Sequence, residues 1–181
     1  MNLFTKLFLI LVITSFSVII ALAQSPPPAP AKPTKVIGKA NIYEFKTKTT
    51  AESVFLNRNG KQTIRATFEV PAEQAGEKPK SFQLFHQSVS DNGFKYKDNR
   101  KVAIILDDGR VVQSEAKLVM ASCSPKREKC YEVLITPLLP FADFEAMLKA
   151  KDVKIQFGET VFELTAEEKT GLRDLQRTLD K

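Results

Sequence analysis

The chain has 181 residues, 27 basic and 21 acidic, with a formal net charge of +6. So small a surplus, scattered among both signs, is ordinary solubility and gives no ground for a nucleic-acid partner. One histidine and two cysteines are too few for a structural zinc site, and the seven glycines occur singly, without the phosphate-cradling motifs of nucleotide enzymes.

In chain order, residues 1–23 read as a secretory signal peptide. Lys6 is the only charge before Lys32, the apolar run Leu7 to Ile13 follows, and Ala21-Leu22-Ala23 offers a small-x-small cleavage site before Gln24. The competing reading is an uncleaved anchor. Leu7 to Ala23, interrupted by Thr14, Ser15 and Ser17, sits at the lower limit for spanning a bilayer, so cleavage is expected and no stable membrane span remains. Without Lys6 the mature chain carries +5. Its expected location is the periplasm or the cell exterior. Residues 24–35 hold Ser25-Pro26-Pro27-Pro28-Ala29-Pro30-Ala31-Lys32-Pro33, an extended proline-rich tether.

From Val36 to Lys181 one β-rich domain is expected. Ala40 to Phe45 alternates, Ser53 to Leu56 is a short apolar patch, and Asn57-Arg58-Asn59-Gly60 turns the chain. Thr63 to Val70 alternates with Ile64, Ala66, Phe68 and Val70 on one face, the pattern of a half-buried strand, and Pro71 stops it. Ala72 to Lys80 reads as a polar loop, and Phe82 to Val89 as a strand. Phe94-Lys95-Tyr96-Lys97 reads as an amphipathic strand that buries both rings under lysine stems. Val102 to Leu106 and Arg110-Val111-Val112 form a hairpin about Asp107-Asp108-Gly109.

Lys117 to Ala121 and Tyr131 to Thr136 flank the cysteines as a second hairpin. Pro140 opens a helix whose apolar positions are Phe141, Phe144 and Leu148. Val153, Ile155 and Phe157 alternate, Gly158-Glu159 turns, and Val161, Phe162 and Leu164 return. Thr165-Ala166-Glu167-Glu168 is a capping box for a final helix with Leu172, Leu175 and Leu179 on its apolar face. No strand–helix–strand alternation appears, so the class is mainly β (α+β): an antiparallel β-sandwich or strongly bent sheet with two short helices in the C-terminal half.

Cys123 and Cys130, with six residues between them on either side of a turn, are expected to form a disulfide in an oxidising compartment. Redox-active pairs have two intervening residues. Lys126, Arg127 and Lys129 at the hairpin tip, with Lys95, Lys97, Arg100 and Lys101, make a candidate anion patch for lipopolysaccharide, nucleic acid or a cell-wall acid. A solvated hairpin end is the plainer account.

His86 is the only candidate general base. A hydrolase would need it in a cleft within reach of Ser88, Asp91 or Glu69, and no nucleophile motif accompanies it. Alternation sets it opposite Phe85, where a surface position or a cross-strand partner is expected. Asp107 and Asp108 are adjacent and face apart, which does not suit paired-carboxylate chemistry. No catalytic, metal or cofactor residues are assigned, and no cofactor is expected.

Phe94-Lys95-Tyr96, Val102 to Leu106 with Asp107-Asp108-Gly109-Arg110, and Ala150-Lys151-Asp152-Val153 through Gly158 to Leu164-Thr165 and Leu172-Arg173-Asp174-Leu175 resemble one loose group. It consists of exported bacterial proteins of unknown function. The resemblance spans roughly Phe94 to Leu179. It implies a small antiparallel β domain with a helical flank and carries no catalytic residues. The leading expectation is a non-catalytic binding or structural module acting on a protein partner or cell-envelope component. The alternatives are an envelope hydrolase with an unrecognised site and an anionic-polymer binder.

Overall fold

The computed structural model describes residues 32–179 except 75, 76, 92 and 127. The expected signal peptide, most of the expected tether and Arg127 therefore lie outside the described residues. Twelve strands and two helices follow one another: β1 (Lys35–Ile37), β2 (Ala40–Glu44), β3 (Lys48–Arg58), β4 (Gln62–Pro71), β5 (Ser81–Ser90), β6 (Lys101–Leu106), β7 (Val111–Glu115), β8 (Lys117–Cys123), β9 (Cys130–Ile135), β10 (Leu139–Pro140), α1 (Phe141–Lys149), β11 (Val153–Phe157), β12 (Thr160–Glu163) and α2 (Ala166–Gln176).

They build two antiparallel sheets. The larger runs β1-β2-β3-β4-β5-β9-β8 with β10 beside β5, and the smaller runs β12-β11-β6-β7. β7 and β8 are separated only by the buried Ala116, whose N–H donates to Arg100 O. The chain thus crosses from the rim of one sheet to the rim of the other with a single residue between.

Period-two alternation sorts the large sheet into two faces. Ala66 and Phe68 of β4, Phe82 and Leu84 of β5 and Leu134 of β9 are buried in one core with Ile104 of β6 and Val153, Ile155 and Phe157 of β11. Both helices lie on that same inner face. Phe144 of α1 packs on Phe82, ring centroids 5.5 Å apart, and meets Phe68 edge-on at 6.3 Å. Gly171 of α2 sits where an added Cβ would come within 3.0 Å of the Phe55 Cβ. Among the described elements, neither helix and no second sheet packs on the outer face of the large sheet, which carries the alternate residues.

Two β-bulges break the alternation in opposite senses. In β3 the register shifts between Val54 and Leu56, so Phe55 and Leu56 both turn inward and both are buried. In β8 it shifts between Leu118 and Met120. Plain alternation would carry Met120 inward with Leu118. The extra residue instead pairs Met120 with the outward Val133, leaving Val119 and Met120 54% and 50% exposed.

The expected mainly-β class, the hairpins and the two helices are all present. Three details differ. The Ser53 to Leu56 patch is the middle of an eleven-residue strand, because Thr50 and Glu52 extend the ladder with polar outward positions opposite Glu69 and Thr67. Phe94 to Lys97 is loop, not strand, with Tyr96 buried and Phe94 39% exposed. On α1 the buried residues are Phe141, Phe144 and Met147, not Leu148. The capping box of α2 forms as read: Thr165 Oγ1 accepts from Glu168 N at 3.2 Å and Glu168 Oε2 accepts from Thr165 N at 2.8 Å.

Candidate functional site

His86 lies between the sheets, fully buried. Its ring stacks on Phe157 at 4.3 Å and meets Tyr96 and Phe162 edge-on at 4.8 and 5.6 Å. Nε2 is 2.7 Å from Gln62 Oε1. That oxygen only accepts, so Nε2 carries the proton. Nδ1 is then a bare acceptor, and it has no partner among the described residues. Burial, aided by the positive charge of Lys95, lowers the imidazole pKa to about 3.

The expected cross-strand partner exists, on β4, and the surface position does not: His86 shares the inward parity of Phe82 and Leu84. Ser88 is also buried, but its Oγ accepts from Gln62 Nε2 at 2.9 Å. The amide stands between imidazole and hydroxyl, so no proton passes directly from serine to histidine. Asp91 pairs instead with Lys61 at 2.8 Å and Glu69 with Lys48 at 2.6 Å, both exposed. Of the three partners considered for a hydrolase, the two carboxylates are thus on the surface, away from the buried His86, and the serine is separated from it by the Gln62 amide.

Behind this cluster, Glu132 is fully buried on β9. Its carboxylate accepts from the backbone N–H groups of Lys95 at 2.7 Å and Tyr96 at 2.9 Å. This pair of bonds holds the loop between β5 and β6 and drives the Tyr96 ring into the core. There Tyr96 Oη donates to Gln62 Oε1 or Thr160 Oγ1, each 3.2 Å away. Burial pushes the Tyr96 phenol pKa upward, more than the Thr160 hydrogen bond draws it down, and the negative charge of Glu132 adds to the rise. Nothing in the sequence pattern singled out Gln62 or Glu132. The available signal was parity, since Glu132 falls on an inward position of β9 between Cys130 and Leu134, and Ser88 continues the inward row of Phe82, Leu84 and His86.

The candidate anion-patch residues divide into groups. Lys95 lies over the Tyr96 ring at 5.6 Å and Lys97 over the Phe94 ring at 5.9 Å. Arg100 faces Glu115 at 3.7 Å, and Lys101 pairs in register with the same Glu115. Lys126 and Lys129 are exposed at the hairpin tip.

Cys123 and Cys130 form the expected disulfide. Ser124 N donates to Lys129 O at 2.8 Å, so the adjacent cysteine pair falls at a non-hydrogen-bonded position, where strands approach most closely. The Cα separation of 4.0 Å fits that position.

The outer face of the large sheet carries a run of apolar side chains across its last strands. Phe85 pairs with Ile135, Val133 with Met120, and Val89 with the 41% exposed Tyr131. Three depressions among the described residues lie elsewhere: one near Lys48, Thr67 and Leu138, one on the smaller sheet around Gln113 and Gln156, one between the Asp107 turn and α1. None of these three is lined by His86. No cluster of metal-ligating side chains occurs among the described residues, and no described helix is long and apolar enough to cross a membrane. Comparison with protein-family models, curated proteins and solved structures gives no match to this chain.

Proposed function

We propose that this protein is a non-catalytic binding module, exported and disulfide-stapled, that presents one face of its larger sheet to a protein partner. The observation that carries this reading is the division of polar and apolar groups. The side chains best suited to chemistry, His86, Ser88 and Glu132, are spent inside the core on structural hydrogen bonds. Large apolar side chains, by contrast, stand on an outer face that no described helix or second sheet covers. A buried imidazole with a pKa near 3 is a poor general base at neutral pH, whereas contiguous apolar surface on a soluble domain commonly marks an interaction site.

The test is a panel of ester, amide and glycoside substrates offered to the protein and to His86→Ala. No turnover above buffer is expected from either. Turnover that disappears with His86 would overthrow the reading.

A further inference from the structure

Building on that reading, we infer that β8 is a docking strand for an extended, acidic and apolar segment of another protein. β8 is the last strand of the larger sheet and the longest terminal strand of either sheet. Counting from the Ser124–Lys129 bond, the alternation of an antiparallel ladder turns the backbone groups of Ala121 and Cys123 away from β9. No described residue bonds to them. An edge of this kind accepts an added strand through its main chain and chooses among partners by side-chain fit.

The bulge supplies the side-chain part. It re-aims Met120 out of the core and places it beside Val119, and such irregularities concentrate where a side chain is redirected for use. It also interrupts the ladder, so strand addition is confined to residues 120–123. The disulfide fixes the far end of that stretch, so little order remains to be imposed on binding.

Charge selects the occupant. Between residues 117 and 131 stand Lys117, Lys126, Arg127 and Lys129 against the single acid Glu128. A second copy of this chain would bring like charges together along the shared edge. A partner with acidic residues flanking apolar ones meets Val119 and Met120 with its apolar side chains and the lysines with its carboxylates.

The experiment uses the disulfide-bonded, isotope-labelled protein and a synthetic peptide of alternating valine and glutamate. Its controls are a valine–lysine peptide, polyglutamate and dextran sulfate. Expected are amide shifts centred on residues 120–123 with the valine–glutamate peptide alone, and about tenfold or greater weakening in Met120→Lys. Met120 is half exposed, so the variant should keep the native melting midpoint, and Val119→Lys repeats the test at the neighbouring position.

Shifts confined to another face would overturn the docking strand while leaving the binding-module reading intact. Equal binding of polyglutamate or dextran sulfate would replace it with an anionic-polymer site. A dimer in sedimentation that Met120→Lys dissolves would make β8 a self-interface. No shifts with any probe would also refute it. Failure of the non-catalytic reading shows separately, as His86-dependent turnover.

Discussion

His86 illustrates how a residue that looks chemical in sequence is made structural by its surroundings. In the unfolded chain it titrates at its ordinary value near 6.5, and in the folded protein at about 3. Between these values the unfolded state binds a proton that the native state refuses. Stability is therefore complete above pH 6.5 and drains as pH falls toward 3, by at most about 1.4 kcal/mol per pH unit. Urea unfolding from pH 7 to pH 4 should show this one-proton slope, and His86→Phe should lack it. The groups facing the ring are Gln62, Tyr96, Phe157, Phe162 and the charge of Lys95. Glu132 makes the complementary case. Glu132→Gln keeps the shape but loses the charge and sets an amide NH2 against one of two backbone donors. It should cost roughly 2–3 kcal/mol, measurable as a lower denaturant midpoint, with the Lys95–Tyr96 loop the first segment to exchange its amide protons.

At the scale of elements, much was legible because the signals were local. The Thr165–Glu168 capping box, the Asp107-Asp108-Gly109 turn and the alternation of Ile64, Ala66, Phe68 and Val70 each depend on a few neighbouring residues. The two bulges were not legible, since a one-residue register shift is decided by the partner strand. Phe55-Leu56 and Val119-Met120 look alike in sequence yet end on opposite faces. The Phe94 to Lys97 segment was misread because its interleaved rings and lysines imitate a strand, whereas Glu132, distant in sequence, ties it down as a loop.

Turn glycines allow a paired prediction. Gly38 and Gly60 both have positive φ, 57° and 69°. An added Cβ at Gly38 would lie 2.2 Å from Asp174 Oδ2, while nothing lies within 4 Å at Gly60. Gly60→Ala should cost about 1 kcal/mol of backbone strain. Gly38→Ala must also displace the carboxylate that accepts from Lys39 N at 3.0 Å, adding roughly 1–3 kcal/mol for a buried group left unpaired. Paired thermal melts read the difference directly.

For the whole molecule, the disulfide and the core act on different parts. The bridge closes a short loop at the tip of the β8–β9 ribbon, away from the packing of Phe82, Phe144 and Phe157. The chain-entropy account gives it about 2.5 kcal/mol, a fraction of the roughly 5–15 kcal/mol typical of a folded domain. Reduction should therefore lower the urea midpoint while leaving the far-ultraviolet spectrum at neutral pH unchanged. Spatial division was the other feature beyond the reach of sequence. That His86 and Ser88 would be inside, and Asp91 and Glu69 outside, followed from which face the small sheet and helices cover, a long-range choice that no local pattern records.

The contact between Gly38 and Asp174 has a consequence for synthesis. It spans 136 residues, so the first hairpin to leave the ribosome has its anchor in the last helix to appear. Until α2 emerges, Phe55 and the Gly38 turn lack the helix that covers them, and the nascent chain cannot complete its native structure.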